Sequence, residues 1–266
     1  MDQPALAALA RAPESVAMTY QLRPLSVGEI LDGSLALLRR HFALILGIAV
    51  VCEGLPTAMD VYMDLAGGTL RHPGLNLLDR VLTAIGSMLV TGATVRIVSE
   101  AYLGRTPRLG DALRFAGGRL GAIFGANLLG GLLTFLALIA LVIPGVVVAC
   151  GYSVAAEVAA LESGSAGDAL RRSWDLTKGF KLKALVLWVV SVSLILLVFL
   201  GAGALGGFVA ALAGGLDALV TLLAAFVSLL IYPLISCVFT LFYYDLRVRK
   251  EGFDLEVLSR QLGLRA

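Results

Sequence analysis

Two histidines and three cysteines in 266 residues leave little material for the commonest site chemistries. Cys52, Cys150 and Cys237 are far apart, odd in number and set in apolar runs, with no CxxC pair. That pattern argues against a disulfide framework or a structural zinc and favours small buried hydrophobes. His41 and His72 fall on opposite sides of the first apolar stretch, so no serine–histidine–acid or cysteine–histidine constellation can be assembled. Charge is scarce too, at 15% of residues, where a soluble domain carries about a quarter. No P-loop lysine follows the glycine run Gly201 to Gly207, which excludes a nucleotide cradle of that kind. Nothing in the sequence implies a cofactor or nucleic acid.

Apolar sequence is what the chain has in abundance: 59% of residues are hydrophobic and the mean hydropathy is +0.91. A membrane span needs roughly 20 apolar residues, and six segments supply them, at about 42–64, 77–102, 119–141, 145–161, 183–212 and 217–244. The third and fourth form a hairpin around Ile143-Pro144-Gly145. Nineteen of the 21 lysines and arginines fall on one side of these spans, and only Arg71 and Arg80 on the other. The positive-inside rule then places both termini in the cytoplasm. Residues 1–21 read as a mobile cytoplasmic tail, with Met18 an alternative start, and 251–266 as a cytoplasmic C-terminal segment.

A charged phrase recurs in this apolar chain. SVGEILDGSLALLRRHF, RLGDALRFAGGRLGAIF and SAGDALRRSWDLTKGFK align on Glu29, Asp111 and Asp168, and each precedes a pair of spans. The expected architecture is all-α, with six transmembrane helices and three cytoplasmic amphipathic helices. It forms an imperfect threefold repeat of units 22–104, 105–164 and 165–250. At about 100° per residue, Ala169, Leu170, Ser173, Trp174, Leu176 and Thr177 take one arc of the third copy. Arg171, Arg172, Asp175 and Lys178 take the other. In the first copy Arg39 and Arg40 lie opposite the leucines, and in the second, which is less regular, Arg114 contributes to the basic face. Ser26 with Glu29 and Ser165 with Asp168 match a capping box, Thr106-Pro107 suggests a third helix start, and Gly179 suggests a C-terminal cap. Such helices belong in the inner headgroup layer, gripping anionic lipid at the cytoplasmic face. Packing together as a collar is the alternative.

Glu53 is the most unusual residue, about 11 residues into the first span and followed by Gly54-Leu55-Pro56. An intramembrane acid marks a pathway, a relay or a buried partner, and Asn127 or Tyr152 are the inward-facing groups it could meet. Asp60, Asp64, Asp79 and Asp217 belong near the outer surface, where a divalent-cation site competes with simple solvation. Gly121, Gly125, Gly203 and Gly207 form two small-xxx-small pairs.

Four phrases carry a family resemblance: LRPLSVGEILDGSLALLRRHF (22–42), the IPG turn (143–145), LESGSAGDALRRSWDLTKG (161–179) and FYYDLRVRKEGFDLE (242–256). In that order they resemble the membrane domain of some bacterial glycerophosphoryl diester phosphodiesterases and of related inner-membrane proteins. The resemblance implies a membrane module without the family's soluble catalytic barrel, for which about 20 residues after the last span leave no room. The expectation is a non-enzymatic scaffold that binds lipid, a protein partner or a second copy of the chain. A small-solute transporter or channel using Glu53 is the rival.

Overall fold

The computed structural model describes residues 23–66, 73–102, 105–162, 165–213 and 217–252, and most side chains from 206 to 220 are outside that description. The N-terminal tail, Arg71, His72, the Asp217 and Gly207 side chains and the C-terminal segment beyond Gly252 lie outside the described residues. Of the described residues, 90% are helical and none is in a strand. In order the helices are α1 (Val27–Arg40), α2 (Phe42–Leu65), α3 (Pro73–Tyr102), α4 (Leu109–Ala140), α5 (Val142–Gly151), α6 (Ala155–Leu161), α7 (Ala166–Thr177), α8 (Lys181–Ala213) and α9 (Asp217–Glu251). Six segments are long and apolar enough to cross a bilayer, with α5 and α6 together forming the fourth. The 24 residues of α2 extend about 36 Å at 1.5 Å per residue, against a hydrocarbon core of about 30 Å. The chain is a multi-pass membrane protein in contact with lipid. Leu128, Ile139, Leu197 and Leu200, all exposed on the bundle's outside, provide that contact.

Helix α3 packs between α2 and α4, and α9 runs against α1, α2, α3 and α8. A single core links them, with Ile30, Leu37, Ile45, Ile97, Ile123, Leu187 and Phe242 fully buried. One end of this bundle carries nearly all the basic residues, and Asp60, Asp64 and Asp79 lie toward the other.

At the basic end the first charged phrase is locked by one carboxylate. Asp245 of α9, 1% exposed, accepts the Leu25 N–H at 2.6 Å. It pairs with Lys183 at 2.5 Å and Arg249 at 2.9 Å. Both cations also donate to the Leu25 carbonyl, at 2.5 and 2.8 Å. The backbone polar groups just before α1 are thus satisfied inside the protein, which fixes where the helix starts. Its first turn is closed by the expected capping box: the Ser26 hydroxyl accepts from Glu29 N–H, and the Glu29 carboxylate accepts from Ser26 N–H.

The three phrases do not give three separate surface helices. The first and third are α1 and α7, but the second is the opening of the 32-residue α4, continuous with the third span. Gly117 and Gly118 do not interrupt it. Its helix starts at Leu109 after an extended Arg108, two residues later than Thr106-Pro107 suggests.

The fourth span departs from the sequence reading most. Instead of one helix over 145–161 there is a break at Tyr152–Val154. Ala155 N–H turns back to the Tyr152 carbonyl, so the Gly151 carbonyl loses its helical donor. Ser173 and Thr177 of α7 supply hydroxyl donors to it at 2.9 and 3.1 Å. A non-helical backbone stretch at membrane depth is tolerated when protein groups satisfy it in this way. Beyond α7, Gly179 adopts φ +91°, the left-handed turn expected of a C-terminal glycine.

Candidate functional site

Among the cavities of the described residues, two are lined by a buried carboxylate. The first, about 490 Å³, is lined by Glu53, Thr57, Asp60 and Asp64 of α2, Thr83 of α3, and Thr221, Ser228 and Tyr232 of α9. Positions 53, 57, 60 and 64 share one helical face. Asp60 and Asp64 are exposed, whereas Glu53 is 4% exposed and its Oε1 has no hydrogen-bond partner. The cavity therefore leads from surface acids at the acidic end to an unsatisfied acid inside.

Two local features hold Glu53 there. Pro56 lies within α2 and removes the N–H that the Cys52 carbonyl would accept. Gly86 of α3 packs onto that bare carbonyl: a Cβ on Gly86 would stand 2.5 Å from the Cys52 oxygen and 3.1 Å from the Glu53 carboxyl. Only glycine allows α2 and α3 this approach.

The second cavity, about 470 Å³, is lined by Asn127 and Thr134 of α4, Tyr152 and Ser153 of the break, Glu157 of α6, Trp188 of α8, and Tyr232, Ser236 and Phe239 of α9, among others. Glu157 is 3% exposed, and its Oε2 is unbonded, as are the Ser153 and Ser236 hydroxyl oxygens. Tyr232 lies in the wall of both cavities.

This geometry corrects the sequence-derived grouping. Asn127 and Tyr152 do not line the Glu53 cavity; they converge with Glu157 instead. Helix periodicity tells which residues share a face, but not which faces of distant spans meet. Glu157 is buried in α6, just after the break at Tyr152–Val154.

The candidate surface residues divide by face. Arg39, Arg40, Arg114, Arg171 and Lys178 are exposed at the basic end. Leu170, 4% exposed, packs against Gly130, and half-buried Trp174 packs against Gly151, so the apolar side of α7 is used within the protein rather than offered to lipid. The same holds for Ile30, Ser34 and Leu37 of α1. The two helices dock mainly on different spans, α1 on α9 and α7 on α4 and α6, and do not form a collar of their own. Lys181 sits 3.2 Å from the Trp174 ring centroid, a cation–π contact.

Arg172 bridges Glu162 at 2.7 Å and Glu251, tying α7 to the last turn of α9. Burial alone would lower the Arg172 guanidinium, but hydrogen bonds to the two carboxylates outweigh it and push it up. Tyr243 donates to Glu162 at 2.5 Å, and the Tyr244 hydroxyl meets Ser99 Oγ at 2.7 Å. Both tyrosines are buried, at 0% and 8% exposure. Arg96 and Glu100 form an i,i+4 pair at 2.7 Å.

Asp60 and Asp64 join Glu53 in one cavity, and Asp79 faces Asp60. Among the described residues no group of three histidine, cysteine or acidic side chains could hold a metal ion. Close helix packing occurs at Gly86, Gly92, Gly125 and Gly130, while Gly121 and Gly203 have open space where a Cβ would be. Comparison with protein-family models, curated proteins and solved structures finds no match for the chain.

Proposed function

We propose that the protein conducts or transports a small cationic solute across the membrane, with Glu53 as the charge that draws it in. The observation that supports this most is the polar cavity running from exposed Asp64 and Asp60 to the buried, unbonded Oε1 of Glu53. An unpaired carboxylate at such depth is costly, and a cation entering past two further acids would compensate it. The threonine and serine hydroxyls around it replace part of a cation's hydration shell. The scaffold reading rested on apolar helix faces free to grip lipid or a partner, and most of those faces are occupied: Ile30, Ser34 and Leu37 of α1 and Leu170 and Leu176 of α7 are buried, while Leu35 of α1 stays exposed. Exposed Arg39, Arg40, Arg114, Arg171 and Lys178 favour contact with anionic headgroups at the same time, in which case the basic end is cytoplasmic. On the four sequence phrases alone we also read the chain as a non-enzymatic, bacterial inner-membrane relative of the phosphodiesterase membrane domains.

Purified protein in liposomes provides the test. Uptake of guanidinium, tetramethylammonium and K⁺ is compared between the wild type and Glu53→Gln. At least one cation should enter faster than into empty liposomes, and the variant should slow it about tenfold or more. No uptake of any of the three, or equal uptake by the variant, overturns the reading.

A further inference from the structure

The second cavity has the composition of a binding site in its own right. We propose that it binds an organic ammonium ion carrying an apolar body, with Glu157 as the counter-ion. Glu157 is 97% buried by difference from its 3% exposure, and its Oε2 meets no donor. No lysine, arginine or histidine lines the cavity. A buried carboxylate without a cation is among the costlier arrangements a protein can hold, so the complementary ligand is positive.

The remaining walls define what kind of cation fits. A primary ammonium has three donors. Glu157 shares the cavity lining with Ser153 and Ser236, and each of the three carries a buried side-chain oxygen without a partner, so three acceptors are available there. In the same lining Trp188 and Phe239 pack with ring centroids 5.0 Å apart, and Trp188 and Phe135 are exposed. Aromatic walls attract a cation through their faces and accept an apolar group through their area. A hydrated metal ion would gain nothing from those walls. At about 470 Å³ the space suits a small organic molecule. The exposed aromatic rim lies on the lipid-facing side of α4 and α8, which gives an amphipathic amine a route from the bilayer.

Glu157 and Glu53 belong to separate cavities, so this site stands whether or not Glu53 supports flux. Equilibrium dialysis of the full chain in mild detergent, with 2-phenylethylammonium as the probe and 2-phenylethanol as its uncharged counterpart, tests it. The wild type should bind the amine saturably at one per chain, and Glu157→Gln should weaken it about tenfold or more. Binding of the alcohol should be unchanged by that substitution. Asn127→Leu, on the exposed wall, and Ser236→Ala should each weaken the amine severalfold, which keeps the test valid if Glu157→Gln does not fold. Glu53→Gln should bind the amine as the wild type does. Absence of saturable amine binding by the wild type, or equal affinity in Glu157→Gln, or in both other cavity variants, overturns the proposal. Normal amine binding with no cation uptake would instead sink only the Glu53 reading.

Discussion

Trp174 occupies the space that a side chain at residue 151 would fill: a Cβ on Gly151 would stand 2.3 Å from Cε3 of the indole. Next to that contact Ser173 and Thr177 donate to the Gly151 carbonyl. One glycine thus receives both the ring and the hydroxyls of α7, and the broken span and the charged phrase GDALRRSWDLTKG are parts of one structure.

Gly151→Ala should therefore destabilise the protein by about 1–3 kcal/mol through overpacking, since the indole is held by its neighbours and cannot simply move aside. Thermal unfolding in detergent measures it. Gly121→Ala, where nothing lies within 4 Å of the added carbon, should leave the midpoint unchanged or slightly raised, because alanine is the better helix former. Equal effects at the two positions would disprove the packing account.

Asp245 should be the most sensitive charge at the basic end. Its carboxylate is fully buried and answers Lys183, Arg249 and the Leu25 N–H together. Asp245→Asn keeps the shape but leaves half-buried Lys183 without its counter-ion, and breaking such a pair costs about 3–5 kcal/mol. Proteolysis should then cut near residue 25 first, because both backbone groups of Leu25 depend on this cluster. A variant as resistant as the wild type would show that the cluster does not hold α1.

The capping box makes a prediction about pH. The Glu29 carboxyl is held down at about 2, chiefly by the Ser26 N–H and then by Arg23, against an ordinary value of 4.5. A depressed folded value means that the stabilisation is complete above the unfolded value near 4.5 and disappears as pH falls through about 2. A ¹³C-labelled Glu29 carboxyl should titrate near the lower figure. Arg23→Ala should raise the midpoint only part of the way, since the Ser26 N–H remains. A wild-type midpoint near 4.5 would mean that the box is open in solution.

How far the sequence could be read follows from the range of the forces involved. Six apolar runs were legible because span length is decided within a few residues, and of the two expected capping boxes Ser26–Glu29 closes whereas the Ser165 side chain makes no cap bond. Gly179 was legible for the same reason. The break at Tyr152–Val154 was not, since GYSVAAEV contains no proline and its free carbonyl is satisfied by residues more than 20 positions away. The Glu157 cavity was hidden likewise: four helices had to be placed before Asn127, Tyr152 and Ser236 could be seen to share it. Glu53 stood out alone because a charge among apolar residues is a local anomaly, but its neighbours Gly86 and Tyr232 were matters of helix packing.

Orientation supplies the last prediction. If nineteen basic residues set the topology, Asp64 faces the outside of the cell and Arg39 the cytoplasm. Both positions are exposed, so each can carry a single cysteine once Cys52, Cys150 and Cys237 are replaced by serine or alanine. Asp64→Cys should react with a membrane-impermeant maleimide in cells whose outer barrier has been opened, and Arg39→Cys only after the inner membrane is also permeabilised. The reverse pattern would overturn the orientation, and with it the assignment of the Glu53 cavity to the outer face. Slowing of the Asp64→Cys reaction by an added cation would connect this topology to the proposed function, because Asp64 and Glu53 line one cavity.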